Sequence, residues 1–157
     1  MLQHIMEYEV ITNTNFEQIR KKVSEAKESS KKVIFQSNDD ELNLKIMEKL
    51  DIDVILINES GRKDFSKQRN SGFNQVMSKL AKKKKIALGI NFDEIIHSKG
   101  NEKAEIIARI IQNINLAKKD KLNVKFISKN QNIKDEYDIK ALGLILGMNT
   151  KMAQGCI

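Results

Sequence analysis

The sequence predicts an α/β fold with a mainly parallel sheet of about five βα units. Short β-rich runs alternate along the chain with segments of helical periodicity, which is the pattern of strand–helix–strand units. The β-rich runs are apolar at nearly every position, as expected for a sheet that is covered on both faces. The chain has 157 residues, whereas a closed barrel of eight units typically needs about 250. We therefore predict either an open five-stranded sheet or a barrel that lacks part of its wall.

Five short segments rich in β-branched and apolar residues are the predicted strands. They are Tyr8–Thr12, Lys32–Gln36, Val54–Asn58, Ile86–Asn91 and Val124–Ser128. In parallel α/β folds ligands bind beyond the carboxyl ends of the strands, so the residues that follow these segments are the first candidates for a site.

Five segments between and after the strands have helical patterns. They are Asn15–Glu28, Asp39–Leu50, Gly72–Lys83, Glu102–Lys119 and Asp138–Leu146. The clearest one carries a broad apolar stripe of isoleucines, Ile106, Ile107, Ile110, Ile111 and Ile114. Asn15 and Asp138 are predicted to cap their helices. The acidic residues Asp39, Asp40 and Glu41 favour capping of a helix start over metal binding.

Composition excludes several classes of protein. A hydrophobic fraction of 40% is enough for a folded core, and we expect one α/β domain over residues 1–157. No apolar run approaches the roughly 20 residues needed to span a bilayer, and the N-terminal residues do not resemble a signal peptide. Cys156 has no second cysteine to pair with. We therefore expect a cytoplasmic protein that makes no membrane contact.

Nearly all of the excess positive charge lies between Gly61 and Lys85. This stretch holds nine Lys or Arg residues and one acid, a net charge of +8, while the whole chain carries +7. We predict a mobile basic loop over residues 59–71 whose cations emerge at the carboxyl end of the third strand. Lys82–Lys85 end a helix, so we expect them at the opposite rim of the sheet. Concentrated positive charge of this kind favours binding to nucleic-acid phosphate.

Three segments in this order resemble one protein family. The residues GRKD and SGFNQVMSKLAKKKKIALGINF are followed by ARIIQNINLAKKDKLNVKFIS and then by EYDIKALGLILGM. Together they resemble RNase P protein component 3, the archaeal and eukaryotic subunit with a TIM-barrel-like fold. FSKQRN looks inserted relative to that family. Two further βα units normally precede the first strand found here, so the resemblance implies an incomplete TIM-barrel-like fold, from a naturally reduced subunit or a truncated gene model.

The resemblance implies a role in tRNA processing as part of a ribonucleoprotein. RNase P is an endoribonuclease, a hydrolase that removes the 5′ leader from precursor tRNA, and its RNA subunit holds the catalytic Mg²⁺. The protein would be noncatalytic by itself, without a catalytic residue, metal or cofactor of its own. It would bind and stabilise the RNase P RNA, work with other protein subunits, especially a smaller one, and meet precursor tRNA indirectly. Missing units would leave surfaces for that partner or for a homodimer.

The predicted RNA-binding residues are the cations of the basic loop, the lysine tract and two later positions. They are Arg62, Lys63, Lys67, Arg69, Lys82, Lys83, Lys84, Lys85, Arg109 and Lys129. The arginines of the loop are expected to matter most, because a guanidinium binds phosphate through two parallel hydrogen bonds. We expect Arg62 and Arg69 to be exposed, so that replacing them barely changes stability. For Arg109, an ion pair with Glu105 one helical turn away competes with RNA contact.

Two alternatives remain beside this interpretation. The first is a stand-alone basic α/β module that binds RNA or an acidic protein surface and has lost RNase P function. The second, a metal-dependent phosphoesterase, requires several converging ligands, and only His4 and His97 are present. Aromatic residues make up 5% of the chain, so we do not expect a base-stacking platform of the kind found in single-strand binders.

Overall fold

Five strands alternate with seven helices in the computed structural model, which describes residues 7–130 and 135–157. The strands are β1 (Tyr8–Ile11), β2 (Lys32–Gln36), β3 (Val54–Ile57), β4 (Ala87–Asn91) and β5 (Val124–Ile127). The helices are α1 (Phe16–Glu28), α2 (Asp40–Lys49), α3 (Gln75–Lys84), α4 (Phe92–His97), α5 (Gly100–Asp120), α6 (Glu136–Ile145) and α7 (Thr150–Gln154). The five predicted strands are confirmed.

The strands form one parallel sheet in chain order, β1-β2-β3-β4-β5. In this register Val54 of β3 lies opposite Ile34 of β2 and Ala87 of β4. Within the described residues β1 and β5 do not pair with each other, so the sheet is open. The predicted α/β fold of about five βα units is therefore confirmed.

The helices confirm the predicted segments and add two that the sequence did not suggest. Asn15 caps α1 by accepting a hydrogen bond from Gln18 N, and Asp39 caps α2 by accepting from Glu41 N and Leu42 N. The cap of α6 is Asp135 and not Asp138, so that prediction was wrong by three residues. The short helices α4 and α7 were not predicted. No helix in the described part of the chain is long and apolar enough to cross a bilayer.

One face of the sheet packs against the helices and forms the main core. Alternate residues of the strands point to this face, among them Phe35, Ile55 and Leu88, each no more than 1% exposed. They meet the buried stripes of the helices, such as Ile19 of α1 and Ile110 of α5. Consecutive parallel strands joined by crossovers of one hand place their helices on the same face, which explains this arrangement.

The other face of the sheet has a small apolar cluster of its own. Ile34, Val54 and Leu56 pack together there, with Ala87 and Ile127 beside them. We expected covering elements on both faces, but within residues 7–130 and 135–157 this cluster contains strand residues alone. Towards the β1 edge the cover is incomplete, because Tyr8 and Val10 are 43% and 37% exposed.

Candidate nucleic-acid interface

The basic loop, defined as residues 59–71, leaves the sheet at the carboxyl end of β3. It runs past the start of α2 and the middle of α5 before it reaches α3. We predicted that this loop is mobile. The structure attaches it to both neighbouring helices through buried side chains, and two of the predicted RNA-binding residues take part in these attachments.

Most of the Arg62 side chain is shielded from solvent. Its side chain is 10% exposed, and its terminal nitrogens donate to the two carboxylate oxygens of Asp40 at 2.8 and 2.9 Å. Its Nε donates to the main-chain carbonyl of Asn58 at 2.6 Å. The expectation that Arg62 is an exposed loop residue is therefore wrong. The paired donors that would suit a phosphate are occupied by a carboxylate at the start of α2.

Gly72 leaves space for the Arg62 side chain. Its φ is +69°, in the left-handed region that favours glycine. A Cβ at this position would overlap the guanidinium of Arg62. The glycine that follows the basic loop thus serves both the turn into α3 and the packing of the buried arginine.

Arg109 is buried in the middle of α5 and holds the first half of the basic loop. Its side chain is 3% exposed, and its Nε lies 3.1 Å from a carboxylate oxygen of Asp64. Its terminal nitrogens donate to the carbonyls of Glu59 at 3.1 Å and Arg62 at 3.0 Å. The predicted pair with Glu105 is present at 3.9 Å, but the main partners come from the loop. Arg109 therefore attaches the basic loop to α5 from inside the protein.

Glu59 is a buried carboxyl at the base of the loop. Its Oε1 accepts from Asn113 Nδ2 at 2.6 Å, while its Oε2 has no hydrogen-bond partner among the described residues and lies 3.5 Å from Arg62 Nε. Burial raises the pKa of Glu59 to about 8, against the opposing attraction of Arg62. Burial also raises the pKa of Glu94, whose carboxylate accepts from Glu59 N and Ser60 N. The base of the loop is thus held by two carboxyl groups whose pKa values are raised by burial, and for Glu59 the shift favours the protonated form at neutral pH.

The second half of the basic loop is fixed by a carboxylate and by α5. Asn70 N donates to Asp64 Oδ1 at 2.9 Å, and this bond, followed by that from Arg109, lowers the pKa of Asp64. Gln112 Nε2 donates to the carbonyl of Arg69 at 3.3 Å and to Ser71 Oγ at 3.2 Å. The loop is therefore closed on itself through Asp64, and residues between these anchors are presented outward.

Three of the predicted RNA-binding cations project from this outward part. Lys63, Lys67 and Arg69 are all exposed. Arg69 keeps a side chain that is 47% exposed and lies 3.6 Å from Asp64. Neither Lys63 nor Lys67 forms an ion pair or a side-chain hydrogen bond with the residues that the structure describes. These three side chains are the part of the loop that an external anion can reach.

The lysine tract, like the basic loop, contains both a side chain with internal partners and side chains that are exposed. Lys84 is internal, because its Nζ donates to the carbonyls of Glu48 and Leu50 at 3.3 and 2.9 Å and also to that of Met47, which caps the carboxyl end of α2. Lys82, Lys83 and Lys85 are exposed. As predicted, the tract lies at the rim opposite the basic loop, since it ends α3 and precedes β4.

A lysine that the sequence analysis missed joins this rim. Lys121 and the tract residues Lys82 and Lys85 line one cleft of about 190 Å³ between the ends of α5 and α3. The two helices are joined by Ser78 Oγ, which donates to Asp120 Oδ2 at 2.6 Å. Lys85 and Lys121 each adopt a left-handed conformation with φ of 58° as they end their helices. The rim is therefore a second basic surface built from two helices.

Lys129 follows β5 and also has internal partners. Its main-chain N donates to Asp93 Oδ2 at 2.8 Å, and its Nζ donates to Gln36 Oε1. Burial lowers the pKa of its ammonium group. Gln36 in turn donates to Asn58 Oδ1 at 2.6 Å, which also accepts from Asn91 Nδ2 at 2.9 Å. Lys129 thus completes a polar layer at the carboxyl ends of β2, β3 and β4.

No metal site was predicted for the chain. Among the residues that the structure describes, no group of three or more His, Cys, Asp or Glu side chains is arranged to hold a metal ion. His4 lies outside the described residues, and His97 is exposed at the end of α4. The absence of a metal site remains a prediction.

The chain is similar to known subunits of ribonuclease P. A family model described as RNase P subunit p30 matches residues 10–157. "Ribonuclease P protein component 3" of Methanocaldococcus jannaschii is 28% identical over 134 residues, which are 83% of this chain and 55% of that protein. A Methanococcus maripaludis protein of the same name is 25% identical over 141 residues, which are 89% of this chain and 57% of that protein. The chain thus spans just over half the length of these relatives.

The fold has a counterpart in a solved complex. A chain of the cryo-EM structure of archaeal ribonuclease P with mature tRNA superposes with a TM-score of 0.78 at 25% identity, covering 94% of this chain and 62% of that one. The open sheet described above therefore corresponds to part of a larger TIM-barrel-like subunit. The family model covers residues 10–157, nearly the entire chain. This protein belongs to the RNase P subunit p30 family.

Proposed function

We propose that the protein is a noncatalytic subunit of ribonucleoprotein RNase P, which binds and stabilises the RNA that removes the 5′ leader from precursor tRNA. The observation that carries the proposal is the match of the RNase P subunit p30 family over residues 10–157. The exposed part of the basic loop supplies a matching surface, because its exposed cations lie on a loop that buried side chains attach to α2 and α5.

The chemistry of the proposed subunit is charge neutralisation and positioning. Lys63, Lys67 and Arg69 displace counterions from RNA phosphates, so affinity falls steeply as salt rises. Arg62 and Arg109 affect RNA binding only through the conformation of the loop, because their hydrogen-bond donors are occupied by Asp40 and by loop carbonyls. In this proposal the two arginines support the surface that contacts RNA and do not contact RNA themselves.

The lysine rim is the second part of the proposed RNA surface. Lys82, Lys83, Lys85 and Lys121 lie at the end of the fold opposite the loop. Helix α5 connects the two surfaces: Gln112 holds the loop and Lys121 follows the last turn, roughly 14 Å further along the axis at 1.5 Å per residue. A rigid element between two basic surfaces suits a protein that fixes two RNA segments relative to each other.

The remaining parts of the proposal concern catalysis and partners. The RNA subunit would hold the catalytic Mg²⁺, and the polypeptide would contribute no catalytic group. The exposed side chains of Tyr8 and Val10, beside the edge of β1 that pairs with no other described strand, offer an apolar surface for the smaller protein subunit or for a second copy of the chain. The assembled particle would act in the cytoplasm on precursor tRNA.

Recovery of bound RNA tests this function. The tagged chain is purified from extract of its own cells at moderate salt, and the RNA that elutes at high salt is sequenced. We expect strong enrichment of RNase P RNA, together with cleavage of precursor tRNA by the eluted particle. A preparation in which unrelated RNAs or none are enriched would contradict the proposal and favour the stand-alone basic module. The triple variant Lys63→Ala, Lys67→Ala and Arg69→Ala serves as the matched control and should recover less of the RNA.

A further inference from the structure

An open groove lies beside the exposed cations of the basic loop. It has a volume of about 520 Å³, within the range of small-molecule sites. Its apolar lining comes from Leu44 of α2, from Phe65 of the loop and from Phe73, Met77 and Leu116 around α3 and α5. Phe73 and Met77 are buried, whereas Phe65 is 58% exposed. The groove thus has a fixed apolar floor and one aromatic ring that reaches solvent.

The rim of this groove is lined by polar side chains with free hydrogen-bonding capacity. Gln68 and Gln75 line it, and their side-chain amides make no hydrogen bond within the described residues. Glu41 also lines it, and its carboxylate has no ion pair or hydrogen bond there either. Amide and carboxylate groups of this kind recognise the edges of unstacked bases in RNA-binding proteins.

The charges around the groove determine which part of an RNA can enter it. Arg69 lines the groove, as do Asp40 and Glu41 of α2. The Asp40 carboxylate is already paired with Arg62, so Glu41 is the carboxylate there whose charge is not compensated. Carboxylates disfavour a phosphate inside the groove, while the cations attract one to its outer edge. A nucleotide fits this distribution of charge when its phosphate contacts the cations at the outer edge and its uncharged base enters the groove.

We propose that this groove binds one unpaired nucleobase of an RNA strand whose phosphate contacts Lys67 or Arg69. Phe65 provides the stacking surface, and the amides of Gln68 and Gln75 with the carboxylate of Glu41 contact the base edge. At C4, cytosine carries an amino group that donates to a carboxylate, whereas uracil carries a carbonyl oxygen that a carboxylate repels. With this position of the base facing Glu41, cytosine is preferred over uracil. The proposal rests on the RNA-binding function proposed above and assigns it a single-stranded segment.

The absence of tryptophan from the chain allows a direct test of stacking. In a Phe65→Trp variant the introduced indole is the sole strong fluorophore at its excitation wavelength. We expect quenching of its emission by single-stranded oligo(C), weaker quenching by oligo(U) and almost none by a fully paired RNA duplex. Unchanged emission at saturating oligo(C) overturns the proposal.

Affinity measurements separate the groove from the basic loop. Phe65→Leu should weaken binding of oligo(C) by at least about fivefold, since stacking on one aromatic side chain is worth about 1–3 kcal/mol, and leave duplex binding unchanged. Tyr137→Leu, which alters an 82% exposed ring on α6, is the matched control and should bind both RNAs like wild type. Glu41→Gln should reduce the preference for oligo(C) over oligo(U).

The outcomes distinguish this inference from the proposed function. If Lys67→Ala with Arg69→Ala weakens both RNAs and Phe65→Leu weakens neither, the groove binds no base and the RNA-binding function stands. If Phe65→Leu weakens duplex and single strand equally, the residue supports the loop and the inference is also wrong. If no variant changes either affinity, both the inference and the proposed RNA-binding loop fail.

Discussion

The basic loop contains two kinds of cation that look alike in the sequence and differ in the structure. Arg62, together with Arg109 of α5, is buried and bound to carboxylates and carbonyls of the chain itself. Lys63, Lys67 and Arg69 lie on the outside of the same loop. This difference indicates that the two buried arginines fix the conformation of the loop, whereas the three outer cations supply its exposed positive charge. Removing a buried cation should therefore change stability, and removing an outer one should change RNA affinity.

The largest expected effect is that of Arg109→Ala. The substitution leaves the carbonyls of Glu59 and Arg62 without their donor and opens a cavity beside a buried carboxyl. A buried polar group that is left without its hydrogen-bond partner typically costs about 1–3 kcal/mol, and this substitution removes the donor of two carbonyls. The free energy of unfolding, measured by urea denaturation, should fall by that order. Arg20→Ala, at a side chain that is 66% exposed, is the control and should cost about 0.5 kcal/mol or less. Equal stability of the two variants would show that Arg109 does not hold the basic loop in place.

A smaller loss of stability is expected for Arg62→Ala. Hydrogen bonds to charged groups contribute about 1.5–3 kcal/mol, and the lower end applies because the Asp40 side chain is 40% exposed. A double-mutant cycle with Asp40→Ala isolates the pair, and we expect a clear coupling energy in urea denaturation. Arg69→Ala, from the same loop, is the matched control. Additive effects of Arg62→Ala and Asp40→Ala would mean that their bidentate interaction contributes nothing.

The base of the loop should also make stability depend on pH. Glu59 has its pKa raised to about 8 in the folded protein from an ordinary value of 4.5. The folded state therefore holds a proton that the unfolded state has released between these two values, and stability falls as pH rises through this window. Glu59→Gln removes this contribution. The stability of the variant relative to wild type should rise by about 1.4 kcal/mol between pH 7 and 9. A difference that stays constant from pH 5 to 9 would contradict the protonated state of Glu59.

Much of the fold follows from the sequence because strand and helix periods are local. The alternation of apolar runs and helical stripes located each of the strands in the described residues, and Asn15 and Asp39 marked helix starts correctly. Helices α4 and α7 were missed because they have six and five residues, too short for a helical period to show. Helix α4 also follows β4 directly, and Asn91 makes no side-chain cap bond that would mark its start.

Which cations are buried and which are exposed can be predicted only in part from the sequence. Arg109 and Asn113 share a face with Ile106 at spacings of three and seven residues, so the helical period places both on the buried stripe. Lys84 likewise shares a face with Met77 and Ala81. The pairing of Arg62 with Asp40 could not be read in this way. It depends on how the start of α2 packs beside a loop 22 residues later, which local patterns do not determine.

The outer cations of the loop should have the smallest effect on stability and the decisive effect on RNA. The triple variant Lys63→Ala, Lys67→Ala and Arg69→Ala should unfold within about 0.5 kcal/mol of wild type, because exposed substitutions away from special interactions change little.

The most direct test of the loop as the RNA-binding surface is the affinity for RNase P RNA as a function of salt, for wild type and this triple variant. We expect weaker binding at every low-salt point, because the variant neutralises fewer RNA phosphates. The salt slope should be shallower by roughly 0.7–0.9 for each phosphate that the variant no longer neutralises. An unchanged affinity and slope, in a variant that folds as stably as wild type, would contradict the assignment of this loop as the RNA-binding surface.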